Sequence, residues 1–470
     1  MTEVYDVAVI GGGSAGLTAA SFNGELGRKV VLIEREYIGG DCTWSGCMPS
    51  KALLHVAKLA HAVRIAPDYG VAVGSAAVDM QAVRDYVQSV IREVYQHETP
   101  EAVAKRGVET ITGEARFVDP HMVRVGTRQI QAKTFIIATG GRPAVPPIPG
   151  LDKVPFKTNR DFFDNDRLPR HLLIMGAGPI GMEMGQAYRR LGAQVTLIGD
   201  QVMPRDDRDA VDVLRRVFAD EGITIVEQLV TAAAANGDEI TLTLKDGAMV
   251  TGDMLLVAVG RTPNVDTLDL ERAGVMYSNQ GIAVNDHLQT NVPHIYAIGD
   301  VTTGPKFTHY AGFQGAVAGR NALLPVGKAK GHDEVVPWVT FTDPEVAHVG
   351  MTEQEARVKY GDAVKVHVML TALGDRTVAE DDMDGFIKLV YRGRGELLGA
   401  TVVADRAGEM ILEYQLVIKT VVSLRTMTSM IHAYPTYSDV ARKALARVLV
   451  KELLESVAGR LFKRVVRLFG

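Results

Sequence analysis

The sequence predicts an α/β chain: two Rossmann-like parallel-sheet domains followed by a C-terminal α+β domain. Three observations carry that expectation. A glycine-punctuated strand–turn–helix–strand pattern occurs at residues 4–35 and recurs at 171–200. Matching strand-to-turn segments, FIIATGGRP (135–143) and LLVAVGRTPN (255–264), trail the two copies. Beyond residue 335 the pattern changes to PWVTFTD, GFIKLVYRG and LLGATVV, which read as antiparallel strands, and then to helices. The length of 470 residues suggests about three domains. Composition, 47% hydrophobic with 47 glycines, fits a glycine-rich α/β enzyme rather than a disordered chain. A net charge of −5 leaves no nucleic-acid footprint.

In the first copy an apolar strand runs into Gly11, Gly13 and Gly16, then a helix, then a second apolar strand ending at Glu34. Glycines at this spacing allow a tight turn, the approach of a pyrophosphate, and close helix–strand packing. The helix N-terminus carries the phosphate charge. Glu34 follows Gly16 by eighteen residues, where a carboxylate holds a ribose hydroxyl pair. In the second copy Gly176, Gly178 and Gly181 take the same parts. Eighteen residues past Gly181 stands Gly199, and the acid follows as Asp200. An acid there disfavours a 2′-phosphate, so the reading leans to NADH. Arg205 and Arg208 keep NADPH open. Two different nucleotides in one chain point to hydride transfer from a nicotinamide to a flavin. VPHIYAIGDVT then reads as a short strand ending in Gly299 and Asp300, an acid placed for flavin ribityl hydroxyls. Gly140 and Gly260, in the two trailing turns, are read as cofactor contacts at crossovers between domains.

The only two cysteines stand five apart in CTWSGCMPSK, residues 42–51. In a regular helix such residues lie roughly 8.6 Å apart, beyond the ~4.4–6.8 Å of a disulfide. A bridge therefore requires a break, and Gly46 supplies the freedom for it. Pro49 suits the first turn of a following helix, SKALLHVAKLAHAV. Cys47 then sits near a helix N-terminus, which favours a thiolate. A staple across so short a loop stabilises weakly, and zinc needs more ligands than this stretch offers. A redox-active pair is expected, and no metal site. MTEVYDVAVIGGG begins a strand rather than a signal peptide, and no apolar run spans a bilayer, so a cytoplasmic location is expected.

On GGDCTWSGCMPSKALL, GAGPIGMEMG, IYAIGDVT and FTDPEVAHVGMTEQEA, in that order, the chain resembles the class I pyridine nucleotide–disulfide oxidoreductases. That family includes dihydrolipoamide dehydrogenase, glutathione reductase and mercuric reductase. The resemblance implies that NAD(P)H reduces FAD and that electrons pass to a Cys42–Cys47 disulfide. By the same resemblance Cys47 is the flavin-side thiolate and Cys42 the interchange thiol. The resemblance also implies that Lys51, a turn past Cys47, is the lysine near the flavin's reactive nitrogen, that Glu183 is its partner, and that the active unit is a homodimer.

Two departures bear on the acceptor. The family's lipoamide and glutathione branches carry a histidine directly before Pro-Thr and a glutamate five residues after it. Here the stretch reads MIHAYPTYSDVARKAL, so Tyr434 precedes Pro435-Thr436, Asp439 replaces the glutamate, and His432 lies two positions earlier. Tyrosine, with a pKa of about 10, is a poor general base near neutrality. The wording is similar to the mercuric-reductase-like branch, in which two thiolates hold a soft metal ion without a proton from histidine. Yet the chain ends LFKRVVRLFG, without the terminal cysteine pair of mercuric reductases. The expected acceptor is a small disulfide or a soft metal ion. Dihydrolipoamide dehydrogenase with His432 recruited is the enzymatic alternative. A redox sensor or membrane-docked flavoprotein with incidental turnover is the other. Trp44 is expected either to narrow the pocket or to pack.

The expected organisation is an FAD-binding domain at 1–150 and 275–335, an NAD(P)H-binding domain at 151–274, and an interface domain at 336–470. The basic amphipathic tail, 456–470, reads either as a C-terminal helix packed on the dimer with solvated arginines or as a peripheral contact with the inner face of an anionic membrane.

Overall fold

The structure is a computed structural model that describes residues 4–74, 77–324, 326–393, 395–420 and 422–456. The chain divides into two compact units. The first comprises Met1–Ala177, Ala187–Asp200 and Val226–Asp333; the second comprises Gly178–Gln186, Gln201–Ile225 and Glu334–Gly470. The expected NAD(P)H-binding segment thus contributes residues to both.

The main sheet of the first unit is centred on Val4–Ile10, parallel to Val30–Glu34 on one side and to Arg128–Ile137 on the other. Residues 7–10, 30–33 and 135–137 are apolar at successive positions because both faces of the sheet are covered there. Val7, Val9, Val30, Leu32 and Ile136 point into one core with Leu17 and Ala20 of helix Ser14–Glu25. Ala8, Ile10, Val31, Ile33, Phe135 and Ile137 point into the opposite core. The period of two separates the sets, and a one-residue slip would exchange them. Ile295–Ala297 adds to the same sheet, parallel to Arg128–Ile137. A second parallel sheet of this unit runs Gln194–Ile198, His171–Met175, Met254–Val257, Phe156–Lys157.

The duplication read in the sequence recurs in the backbone. The Gly11 N–H donates to Ile33 and the Gly176 N–H to Ile198. The Ala138 N–H donates to Ile10 and the Ala258 N–H to Met175. The two trailing segments pair with each other, Gly141–Pro143 antiparallel to Arg261–Pro263.

The second unit holds an antiparallel sheet in the order Trp338–Thr340, Glu345–Gly350, Glu396–Ala404, Phe386–Arg392, Val364–Leu370. Ala347, Ile387, Leu389 and Val402 pack against Met410, Tyr414, Val440 and Leu445 of helices Ala407–Lys419 and Tyr437–Glu455. Among the described residues no helix is long and apolar enough to cross a membrane. The amphipathic tail beyond Ser456 lies outside the described residues.

A polar node in this unit makes stability depend on pH. Asp206 is buried and accepts the Trp338 indole N–H at 2.9 Å. Burial, only partly offset by that bond and by Arg205 and Arg208, pushes its carboxyl up to about 6. The folded chain therefore holds this proton more tightly than the unfolded chain. The cost of ionising Asp206 is absent below about pH 4, grows as pH rises toward 6, and levels off on the order of 3 kcal/mol. Asp206→Asn is expected to raise the urea midpoint at pH 7.5 relative to the parent, with no gain at pH 4. An equal difference at both pH values would exclude ionisation as the cause.

Candidate functional site

Two glycines of the first turn leave no room for a side chain. A Cβ on Gly11, which has φ +106°, would lie 2.3 Å from the Ala138 oxygen. A Cβ on Gly16 would lie 1.8 Å from the Gly11 oxygen, so the helix sits directly on the turn. Gly13 is the N-cap of helix Ser14–Glu25, leaving that N-terminus without a side-chain cap. Glu34, at the end of its strand, accepts the Gly12 N–H at 2.7 Å and the Glu36 N–H at 2.8 Å. Gly140 has φ +64°.

Asp300 follows Gly299, whose Cβ would stand 3.3 Å from the Ala311 Cβ and 3.4 Å from the Ala15 Cβ. The strand-end acid is therefore seated on the first turn of the cradle helix. Burial pushes the Asp300 carboxyl up, with Arg261 and Lys306 opposing it. An open helix N-terminus, an acid at the second strand and an acid at a third strand end fit the diphosphate and hydroxyls of FAD.

At the second copy, a Cβ on Gly176, φ +118°, would lie 2.3 Å from the Ala258 oxygen, repeating the first turn. The Gly178 carbonyl accepts the Met182 N–H at 3.0 Å, and Gly181 is buried in helix Pro179–Leu191. Asp200 is exposed just past strand Gln194–Ile198. Gly260 has φ +131°. The Gly176 turn repeats the chemistry of the Gly11 turn and fits the diphosphate of a second dinucleotide.

The cysteine segment is two helices joined at a sharp break. Cys42 lies in Gly40–Trp44 and Cys47 is the first residue of Cys47–Ile65. Gly46 makes the break: a Cβ there would meet the Asp41 oxygen at 2.6 Å. Gly40, φ +60°, is equally constrained, since a Cβ would come within 2.8 Å of the Gly13 Cα. The thiol segment thus starts on the nucleotide turn itself. The two sulfurs are not bridged. Their mutual hydrogen bond, then burial, push the Cys42 thiol well above its ordinary range. Once one sulfur ionises, its neighbour keeps a proton, because two adjacent thiolates repel. Cys47 Sγ lies 3.2 Å from Thr308 Oγ1, at the start of helix Thr308–Leu323. Lys51 stands one turn along from Cys47 in the same helix. Trp44 packs, with Tyr37 and Tyr95 ring centroids each 4.9 Å away and its indole N–H donated to the Ile38 oxygen.

The remaining candidates lie in the second unit. Glu183 is buried and its Oε1 accepts the Phe341 N–H at 3.0 Å. Tyr434 is exposed, with the Lys443 ammonium 5.7 Å from its ring centroid. The carboxylate beside His432 is Glu413, at 3.3 Å from Nε2, and not Asp439. Asp439 is engaged on its own helix with Arg442 at 2.7 Å and Lys443 at 3.2 Å. Sequence reasoning also missed Thr308, Arg261 and Glu98, the last accepting the Thr43 hydroxyl at 2.8 Å. Only Arg261 left a signal, as the residue after a turn glycine in the repeated segment.

A cradle for one dinucleotide, a second glycine turn for another and a helix-terminal thiol pair define a flavin- and nicotinamide-dependent disulfide oxidoreductase. Residues 5–315 match the family described as pyridine nucleotide-disulphide oxidoreductase, and residues 336–445 match its dimerisation domain. The chain belongs to that family. It is 32% identical to a mercuric reductase of Staphylococcus aureus over 93% of this chain and 81% of that protein. It is 34% identical to a dihydrolipoyl dehydrogenase of Thermus scotoductus over 96% of this chain and 99% of that one. Among solved structures, LpdA from Mycobacterium tuberculosis superposes with a TM-score of 0.87 at 27% identity, covering 94% of this chain and 99% of LpdA. The Cu(II) complex of RclA from Escherichia coli, a HOCl-induced flavoprotein disulfide reductase, superposes with a TM-score of 0.85 at 27% identity, covering 94% and 99%.

Proposed function

We propose that the chain is a homodimeric NAD(P)H-dependent flavoprotein reductase whose Cys42–Cys47 couple delivers electrons to a small disulfide or a soft metal ion. One observation carries the choice of acceptor. The residue before Pro435-Thr436 is an exposed tyrosine, in the place where the lipoamide and glutathione branches carry a histidine. The relatives of mercuric-reductase type and the copper-bound RclA support the same reading. Bound FAD supplies the two-electron link between nicotinamide and sulfur. Cys47, at its helix start, presents the thiolate, and Cys42 holds the proton and meets the acceptor. Glu34, Asp300 and the turns at Gly11 and Gly140 hold the flavin nucleotide. Gly176, Asp200 and Gly260 serve the nicotinamide nucleotide, with NADH preferred. We assign FAD binding to 1–150 and 275–335, nicotinamide binding to 151–274 and dimer contact to 336–470. Exposed Leu412, Leu416, Met430 and Ile431 support the dimer, since they offer a second copy an apolar face.

The His432–Glu413 pair favours a second reading, a dihydrolipoyl dehydrogenase in which a carboxylate-oriented histidine has moved two residues upstream. Anaerobic reduction by NADH and by NADPH, followed by an acceptor panel, separates the two. Cupric or mercuric ions, or a small disulfide, are expected to turn over at least tenfold faster than lipoamide. Lipoamide turnover above all other acceptors, reduced more than about 100-fold by His432→Gln, would establish the second reading instead.

A further inference from the structure

Arg261 joins two carboxylates that are 220 and 39 residues away in sequence. Its terminal nitrogen contacts the carboxylate of Asp41, the residue before Cys42. Its Nε lies 3.1 Å from Asp300 Oδ2. The same guanidinium donates to the Gly141 oxygen at 2.8 Å, across the paired trailing segments. Lys306 caps the Arg261 carbonyl at 3.2 Å. All three charged side chains are largely buried, at 21%, 28% and 20% exposure. Arg261 therefore contacts both desolvated anions, with Lys306 a second cation acting on Asp300, beside a glycine cradle shaped for a diphosphate. Without it, two carboxylates would face each other and repel any anionic cofactor. Burial works against the guanidinium charge, yet Asp41 and Asp300 outweigh it and hold it above its usual range.

We propose that Arg261 is a flavin-positioning residue that neutralises the Asp41–Asp300 pair, so that the phosphates can bind next to the thiol segment. This rests on the flavin reading above. It gives Asp41 a cost that Arg261 relieves, and it makes the two residues energetically coupled.

The test is FAD affinity of the full-length protein, stripped of flavin and titrated with FAD by flavin fluorescence, in four forms: parent, Arg261→Met, Asp41→Asn and the double variant. Arg261→Met is expected to weaken FAD binding at least tenfold. Asp41→Asn is expected to stay within threefold of the parent. The double variant is expected to recover at least half of the loss on a logarithmic scale. Circular dichroism checks that each variant is folded; if Arg261→Met is not, Arg261→Lys, which keeps the charge, takes its place with an intermediate loss. Parent-like FAD binding by Arg261→Met overturns the proposal, and so does a double variant as weak as the single. Failure of the parent to bind FAD overturns the flavin reading itself.

Discussion

Replacing Cys47 with serine is expected to leave bound flavin in place and to lower turnover with every acceptor by on the order of 10³-fold or more. The sulfur at the first position of helix Cys47–Ile65 is in contact with Thr308 and with its partner thiol. A hydroxyl of similar size keeps the Thr308 contact and the helix start but forms no disulfide. Cys42→Ser should cost a comparable factor in acceptor turnover while leaving Cys47 open to alkylation. The proton that the pair now shares is absent in that variant, so Cys47 alkylation is expected to follow a single titration, where the reduced parent follows two coupled steps. Rapid acceptor turnover by either serine variant would remove the sulfur couple from the reaction.

Gly16→Ala is expected to yield protein with less than about a tenth of the parent's flavin. The added methyl would stand 1.8 Å from the Gly11 oxygen, so helix Ser14–Glu25 must lift off the turn that carries the cofactor. Overpacking of this kind costs about 1–3 kcal/mol or more, and here it falls where the phosphate must approach. Gly27→Ala is the control. Its φ of +77° imposes the same kind of backbone strain, but its Cβ meets nothing within 4 Å. The flavin-to-protein absorbance ratio of the two purified variants decides the matter: equal ratios would mean that the cradle is not where the flavin sits.

Cys47 and Gly16 both lie in stretches whose structure is legible in the sequence. The glycine turns, their strands and the break at Gly46 follow from local chemistry, because a buried parallel strand must be apolar on both faces and a bridged pair cannot span a regular helix. What escaped the sequence is tertiary. Arg261 meets Asp41, and Thr308 meets Cys47, across more than 200 residues, and no periodicity encodes such pairs. By the family resemblance Asp439 is expected in the place of the glutamate that accompanies the C-terminal base. Arg442 and Lys443, three and four residues on along one helix face, hold its carboxylate instead. The sequence is compatible with either role for Trp44, and its contacts with Tyr37 and Tyr95 are what make it a packing residue.

The contact of Gly40 with Gly13 has an evolutionary corollary. Backbone touches backbone there, so no side chain is available to be exchanged for another. Recognition of the dinucleotide and presentation of sulfur are one mechanical part. Selection for a new acceptor must then act around this joint, on residues such as Tyr434 and Trp44, while the joint itself stays unchanged.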